Sequence, residues 1–187
     1  MKPWMQTFLG NKFTFDIPRS QDIEIEDIAH SLAMQCRFNG HVKEFYSVGD
    51  HCLRVASRVS TPNKLWGLMH EAAETYMSDI ITPFKYHWRW RHFLKSMEER
   101  ILKVVAEKYG LPWPVPGEVK EVDRRIWATE QRDLRNKPRF EWSTDVEPYP
   151  ECIVPTENWR IVKFAFIEYF DRLLTGKGVI NIFARPY

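Results

Sequence analysis

The segment DIEIEDIAHSLAMQCRF, residues 22–38, decides the fold class, because its apolar residues recur at steps of three and four. That period places them on one face of an α-helix and predicts that this face is buried against other helices. The stripe consists of Ile25, Ile28, Ala29, Leu32 and Cys36. The Asn-Gly pair at 39–40 is typical of a turn and predicts a break before the next helix.

Helical patterns continue outward from this segment, at residues 47–59, 61–77, 88–109, 118–134 and 156–175. Polar residues at their ends predict where these helices start and stop. Ser47, Thr61 and Thr156 are the expected N-caps, and Asp50 completes an acidic capping box with Ser47. Gly110 is the expected residue just past the end of the fourth helix.

Short segments between the helices show other patterns. TFLGNKFTFDI, residues 7–17, alternates enough to form a short hairpin around Gly10-Asn11. Residues 78–86 are expected to form a loop, because Pro83 biases the preceding residue away from helix. Residues 136–155 look irregular. The predicted fold class is therefore all-α, a bundle of about six or seven helices.

Length and composition limit the organisation and the class of protein. The 187 residues suggest one domain, residues 1–187, with a motif core at 22–135 on which the last helix, 156–175, packs. A formal charge of +2 is too small to indicate a nucleic-acid polymer as partner. No apolar run is long enough to span a membrane, and no leader peptide is evident. The three widely spaced cysteines form no metal or disulfide pattern, so a cytoplasmic protein is expected.

Ionisable residues crowd the segment LMHEAAETYMSDIITPFKY, residues 68–86, among apolar neighbours. They are His70, Glu71, Glu74 and Asp79. Adjacent helical residues point about 100° apart, so His70 and Glu71 reach a common ion only at a helix end or against a neighbouring helix. Like charges buried together repel, and a divalent cation would compensate them.

A solvated helix face is the alternative reading of a His-Glu pair. Two residues elsewhere favour the metal. His51 lies in the preceding predicted helix, and Asp123 lies in a later one. The chain thus offers a histidine, a His-Glu pair and a lone aspartate on three helices, which predicts a metal site formed by His51, His70, Glu71 and Asp123.

This order resembles the HD-domain metal-dependent phosphohydrolases, whose signature is a histidine, a His-Asp doublet and a distant aspartate. HEAAETYMSDIITPFKY, residues 70–86, is similar to the corresponding block of bacterial 5′-deoxyribonucleotidases. RFNGHVKEFYSVGDHCLRVA, residues 37–56, looks closer still to small phage and prophage HD proteins. Some of those proteins remove phosphates from dATP, dADP and dAMP in phages whose DNA carries diaminopurine.

The resemblance implies a metal-dependent hydrolase that converts deoxyadenosine nucleotides to deoxyadenosine. The metal would be Mn, Co, Zn, Fe or Ni, with Mg as a further candidate at the phosphates. A general 5′-deoxynucleotidase, or a hydrolase of another nucleotide, is one alternative. A non-catalytic nucleotide-binding regulator with a degenerate site is another. Relatives of this fold also imply a homo-oligomer, and the aromatic residues of NIFARPY, residues 181–187, are candidates for the subunit contact.

Two acidic residues are candidates for the proton transfers of such a reaction. Glu74 would accept the proton of the attacking water, and Asp79 would orient the water or protonate the leaving oxygen. The alternative for Glu74 is a surface ion pair, and for Asp79 a residue that caps the end of a helix.

Cations and aromatic side chains are candidates for binding the nucleotide. Arg37 and Lys85 would bind phosphate. Phe38 and Trp88 would stack on the base, with Trp66 and Trp90 also available, although core packing is the usual role of an aromatic residue. The run YHWRWRH, residues 86–92, is interpreted as a pocket rim or subunit contact rather than a nucleic-acid stripe.

Glu71 departs from the HD pattern, which has aspartate at this position. Glutamate is also a hard oxygen ligand, but its extra methylene shifts the carboxylate outward. Either the site works with a displaced metal, or it binds metal weakly and is catalytically poor. The first alternative is favoured, because Glu74, Asp79, Arg37 and Lys85 all keep the expected spacing.

Overall fold

The computed structural model describes residues 3–140 and 143–177. Its α-helices, in chain order, are α1 Ile25–Met34, α2 Val48–Arg58, α3 Lys64–Met69, α4 Glu74–Met77, α5 Thr82–Lys85, α6 Arg91–Tyr109, α7 Gly117–Leu134 and α8 Trp159–Thr175. The α4 and α5 helices are single turns, and α3 with α4 reads as one interrupted helix. The all-α prediction is confirmed, and the helix count agrees with it when the interrupted pair is counted once.

A two-stranded antiparallel hairpin precedes the helices. Its strands are β1 Trp4–Gln6 and β2 Lys12–Thr14, with Met5 opposite Phe13. Gly10 takes a positive φ of 82° in the connection, so the turn lies where the sequence predicts it. Phe13 is fully buried and stacks on Tyr76 at 3.8 Å between ring centroids, which anchors the hairpin to α4.

Two of the predicted helix ends are confirmed. The Ser47 hydroxyl accepts a hydrogen bond from the Asp50 backbone N–H at 3.1 Å, so Ser47 caps α2. Gly110 follows α6 with a left-handed φ of 64°, which a residue without a Cβ adopts without strain.

Two predicted N-caps are wrong. Thr61 lies inside a 3₁₀ turn, Thr61–Asn63, and α3 begins after it. For α8 the cap is Asn158, whose side chain accepts from the Arg160 N–H at 3.0 Å. The Thr156 N–H instead donates to the Asp50 carboxylate at 2.8 Å, which ties the segment before α8 to α2.

The predicted loop at 78–86 is wrong in part, because it contains α5. Pro83 occupies the first turn of that helix, where a missing N–H breaks no intrahelical hydrogen bond. The irregular character expected for 136–155 is confirmed for the described residues of that range. No helix of the described chain is long and apolar enough to cross a membrane.

The central helix is α2, in which residues 48–56 are all buried. Two glycines allow its neighbours to approach closely. A Cβ on Gly49 would lie 3.0 Å from Val162 Cγ1, and a Cβ on Gly67 would lie 2.8 Å from the Ala56 Cα. The second contact is below any real Cβ distance, so α3 packs against α2 backbone to backbone. This packing brings the C-terminal end of α3 beside His51.

Candidate metal centre

Three helical elements bring the proposed metal ligands together. His51 lies on α2, His70 and Glu71 follow the last residue of α3, and Asp123 lies on α7. One ligand atom from each of these residues can be chosen so that all lie within 4.8 Å of one another. His70 and Glu71 lie at the end of α3, which is one of the two places where adjacent helical residues can reach a common ion. The exposed fractions of the side chains are 0% for His51, 8% for His70, 16% for Glu71 and 32% for Asp123.

The distances between these atoms suit a single ion. His51 Nε2 lies 3.2 Å from His70 Nε2 and 3.1 Å from Asp123 Oδ1. His70 Nε2 lies 3.8 Å from Glu71 Oε1 and 3.9 Å from Asp123 Oδ1. Nitrogen and oxygen ligands held at about 2.0–2.2 Å from one ion lie at most about 4.4 Å apart. The cluster therefore fits a metal after a contraction of a few tenths of an ångström.

Hydrogen bonds at the opposite ring nitrogens orient both histidines. His51 Nδ1 lies 2.6 Å from Glu130 Oε1, and His70 Nδ1 donates to the Gly67 carbonyl at 2.8 Å. With both Nδ1 atoms protonated, each neutral ring turns the lone pair of Nε2 toward the same point. Two lone pairs 3.2 Å apart repel each other unless a proton or a cation lies between them.

Glu130 is a functional residue that sequence reasoning missed. It is fully buried on α7 and accepts hydrogen bonds from His51, from the Tyr46 hydroxyl at 2.9 Å and from Arg37 Nη2 at 3.0 Å. It lies seven residues after Asp123, hence two helical turns along on the same face. That spacing was the available signal. Its carboxylate fixes the tautomer of His51.

Arg37 lies beside the cluster but is engaged with protein carboxylates. Its side chain is buried, pairs with Glu130 and lies 4.0 Å from Glu71 Oε1. Phe38 follows with a positive φ of 55°, and its ring centroid lies 5.2 Å from the guanidinium carbon. Neither residue lines the cleft described below. The expected contacts of Arg37 and Phe38 with substrate stay predictions. The Arg37 guanidinium does balance the negative charge of Glu130.

The two candidate acid-base residues flank the cluster. Glu74 is buried, and no group in the described part of the chain donates to its Oε2. Burial and the charges of Glu71 and Asp79 raise the pKa of Glu74 well above its ordinary value. Burial also raises the pKa of Asp79, and the neighbouring Arg37 offsets that only in part. Both shifts favour the protonated form of these carboxyl groups.

Gln35, also missed from the sequence, links these two residues. Its Nε2 donates to the Glu74 carbonyl at 3.1 Å, and its Oε1 accepts from the Asp79 N–H at 3.0 Å. Ser78, the residue just before Asp79, has a positive φ of 69°. Gln35 follows the last residue of α1, so α1 positions the turn that carries Asp79.

A cleft of about 630 Å³ opens beside His70, Glu71 and Asp123. Its cationic side chains are Lys85, Arg91, Lys95 and Lys120, and its apolar ones include Leu102, Trp113, Val115 and Val119. Lys85 pairs with Glu98 at 2.8 Å. Burial lowers the pKa of Lys85, but Glu71 and Glu98 outweigh burial and raise it, which keeps the ammonium charged. Glu98 and Glu99 also line the cleft, so it combines charged groups of both signs with an apolar wall.

The tryptophans occupy different places from those expected. Trp88 is 71% exposed and does not line the cleft. Trp66 is buried, and its Nε1 donates to the Pro112 carbonyl at 2.6 Å, so it belongs to the core. Trp113 lines the cleft instead, from the Pro-rich segment between α6 and α7.

Metal affinity at the cluster is expected to rise with pH. Burial and the charge of Arg37 lower the pKa of His51, but Glu130 and Asp123 outweigh them and raise it to about 9. Below that pH an incoming cation must displace a proton, which changes apparent affinity by about tenfold per pH unit. Calorimetric titration with Mn²⁺ or Co²⁺ from about pH 6 to 8 measures this, and pH-independent affinity would contradict it.

Comparison with known proteins gives two relatives. The chain is 38% identical over 177 residues to the uncharacterized protein YfdR of Escherichia coli (strain K12), across 91% of this chain and 95% of YfdR. It is 32% identical over 128 residues to an uncharacterized protein of Rhodobacter capsulatus, across 64% of each protein. No family model matches the sequence. The first similarity extends over nearly the whole length of both chains.

Proposed function

Because this chain belongs to the family of Escherichia coli YfdR and carries a buried His/His/Glu/Asp cluster, we propose that it is a metal-dependent phosphohydrolase of the HD type. The observation that carries the proposal is the pair of imidazole Nε2 atoms, 3.2 Å apart, with both Nδ1 atoms bonded away from the cluster. We also propose that the described helices act as one HD-type domain.

The donor set fits a borderline or hard transition metal. Two imidazole nitrogens and two carboxylates suit Mn, Co, Zn, Fe or Ni, and His51, His70, Glu71 and Asp123 would hold the ion. Such an ion, when bound, polarises a phosphoryl oxygen and lowers the pKa of bound water toward neutrality. Glu130 and the Gly67 carbonyl keep both histidines in the tautomer that binds metal.

The chain's own acids would move the protons of hydrolysis. Burial raises the pKa of Glu74, and a cation beside Glu71 would lower it and favour the ionised form, which can accept a proton from water. Asp79, held by Gln35, would orient the water or return a proton to the leaving oxygen.

The cleft suggests the class of substrate. A phosphate placed against Asp123 and Glu71 needs cationic support, which Lys85, Arg91 and Lys120 in the lining of the cleft would offer. A base and sugar would contact the apolar wall, with Trp113 as the aromatic surface rather than Trp88. We propose deoxyadenosine nucleotides, dATP, dADP and dAMP, as substrates, with Mg²⁺ as a further candidate ion at the phosphates.

A panel of nucleotides and metals tests this function. We expect phosphate release from deoxyadenosine nucleotides with Mn²⁺ or Co²⁺ and none after chelation. Glu71→Asp should retain turnover within about tenfold, because a carboxylate remains at the cluster and flexible neighbours can follow it. Product chromatography measures both. Equal rates with all bases would indicate a general nucleotidase. Loss of activity with every metal in Glu71→Asp would contradict the interpretation that the site accepts either carboxylate at position 71.

A non-catalytic nucleotide-binding regulator is the second candidate. It is favoured by the engagement of Arg37 with Glu130, which withdraws the expected phosphate ligand from the cleft. Metal binding alone does not separate the two functions. A wild-type protein that binds Mn²⁺ and dAMP but releases no phosphate with any metal would establish the regulator.

We also propose a homo-oligomer. Exposed aromatic side chains are concentrated at one place, in α5 and the residues before α6, and include Phe84, Tyr86, Trp88 and Trp90. Contiguous exposed apolar surface is typical of protein contacts. The C-terminal segment NIFARPY, another candidate contact in the sequence, lies outside the described residues.

A further inference from the structure

A second cavity, of about 270 Å³, lies between the hairpin, α1 and α4. None of the proposed metal ligands lines it. Its polar lining includes Asp27, His30, Thr75 and Tyr76, and its apolar lining includes Met5, Phe8 and Met34. It is therefore a separate site with both kinds of surface.

Asp27 is the unusual residue of this cavity. Its side chain is 1% exposed, and its Oδ1 accepts a single hydrogen bond, from the Leu9 N–H at 2.8 Å. Its Oδ2 is buried without a partner among the described residues. No cationic group of the described chain pairs with it either, since the nearby Lys163 ammonium bonds Glu26 at 3.0 Å.

Other buried carboxylates outside the candidate metal centre have a cation. Asp22 pairs with Arg19 at 2.8 Å, and Asp50 pairs with Arg54 at 3.0 Å. Asp27 lies in the first turn of α1, where the helix dipole stabilises a carboxylate by a modest amount. Burying an unpaired charge costs several times that amount. The α1 dipole therefore offsets only part of the cost.

Unsatisfied polar groups are concentrated around Asp27. Buried atoms without a hydrogen-bond partner in the described chain include Asp27 Oδ2, His30 Nδ1, Thr75 Oγ1 and Tyr76 Oη, and all four residues line this cavity. Buried polar groups are normally paired, so a cluster of unpaired ones around a void indicates a partner that is not part of the chain.

We propose that this cavity binds a small organic cation, an ammonium, guanidinium or amidinium group attached to a short apolar body. The charged nitrogen donates to Asp27 Oδ2, the hydroxyls of Thr75 and Tyr76 accept its remaining hydrogens, and the apolar part contacts Met5, Phe8 and Met34. The cavity equals about nine water volumes of about 30 Å³ each, which admits one ring or a short chain.

Two other occupants fit less well. Water would satisfy the hydrogen bonds but would leave the carboxylate charge uncompensated. A hard inorganic cation would use the carboxylate and the hydroxyl oxygens but would leave the thioether and aromatic walls without a partner.

Benzamidinium is the probe, and neutral benzamide, which has nearly the same shape, is its control. We expect benzamidinium to bind the full chain with a Kd below about 1 mM in calorimetric titration, and benzamide to bind at least tenfold more weakly. Asp27→Asn should weaken benzamidinium at least tenfold, because it removes the charge and keeps the shape. Asp22→Asn, at a buried aspartate that already has its arginine, should bind like the wild type.

Thermal unfolding gives a second readout. Without ligand, Asp27→Asn should melt at or above the wild-type temperature, because it removes an uncompensated charge. Equal affinity of Asp27→Asn and wild type for benzamidinium would overturn the proposal. So would equal binding of benzamide and benzamidinium to the wild type, which requires no variant. Failure of benzamidinium, methylguanidinium and butylammonium to bind would leave water alone in the cavity and would also overturn it.

Discussion

His70→Ala is expected to abolish both metal binding and phosphate release. His70 supplies one of two inward-facing Nε2 atoms, and its Nδ1 is held by the Gly67 carbonyl at 2.8 Å, so no neighbouring side chain replaces it. Loss of a group that merely supports a metal ligand costs about 10–100-fold, and loss of a ligand should cost more. Phosphate release with Mn²⁺ and calorimetric titration of the metal measure the two effects.

The control for this variant is His41→Ala, which removes an exposed histidine outside the cluster and the cleft and should keep wild-type rates. Asp123→Ala should reproduce the loss from a different helix. His70→Ala and Asp123→Ala must both keep the circular dichroism spectrum of the wild type for the comparison to hold. Wild-type phosphate release by His70→Ala would refute the metal-centre assignment.

Glu130→Ala is expected to lower the free energy of unfolding by about 3–5 kcal/mol, the usual cost of removing one partner of a buried ion pair. It leaves the Arg37 guanidinium and the Tyr46 hydroxyl without their acceptor and releases the tautomer of His51. Metal affinity should fall about 10–100-fold as well. Urea unfolding and metal titration measure these changes.

The pH dependence of stability checks the same residue. Burial raises the pKa of Glu130, but Arg37 and His51 outweigh burial and lower it below the usual value. The stability it contributes is thus complete above the ordinary carboxyl pKa of about 4.3 and is lost as the pH falls through the lower folded-state value. Glu121→Gln, at an exposed position on the same helix, should change neither stability nor metal affinity. A change below about 1 kcal/mol in Glu130→Ala would contradict the structural role assigned here.

Sequence periodicity was sufficient for the helices, because a buried stripe is a local property of the chain. The 25–36 stripe predicts α1, although the helix ends at Met34 and Cys36 pairs with Ser47 in an isolated bridge. Caps were less predictable. Thr156 and Asn158 lie two positions apart, and the side chain of either can cap a helix. The backbone contact of Thr156 with Asp50 holds it outside the helix, so Asn158 is the cap.

The order of motif residues, with its resemblance to the HD pattern, was enough to predict that His51, His70, Glu71 and Asp123 form one cluster. Glu130 and Gln35 were missed, because their importance comes from tertiary contacts with His51 and Asp79 rather than from any local pattern. Trp113 was not singled out for the same reason, since the sequence cannot tell which face of a Pro-rich segment turns toward a cleft.

Gly67 couples two properties that are usually independent. Its missing Cβ sets how closely α3 lies on α2, and its carbonyl oxygen sets the rotation of the His70 ring. The spacing of α2 and α3 and the orientation of the His70 ring therefore change together. At the metal centre proposed above, a substitution that wedges the two helices apart would alter the ligand geometry and so which ion the protein prefers.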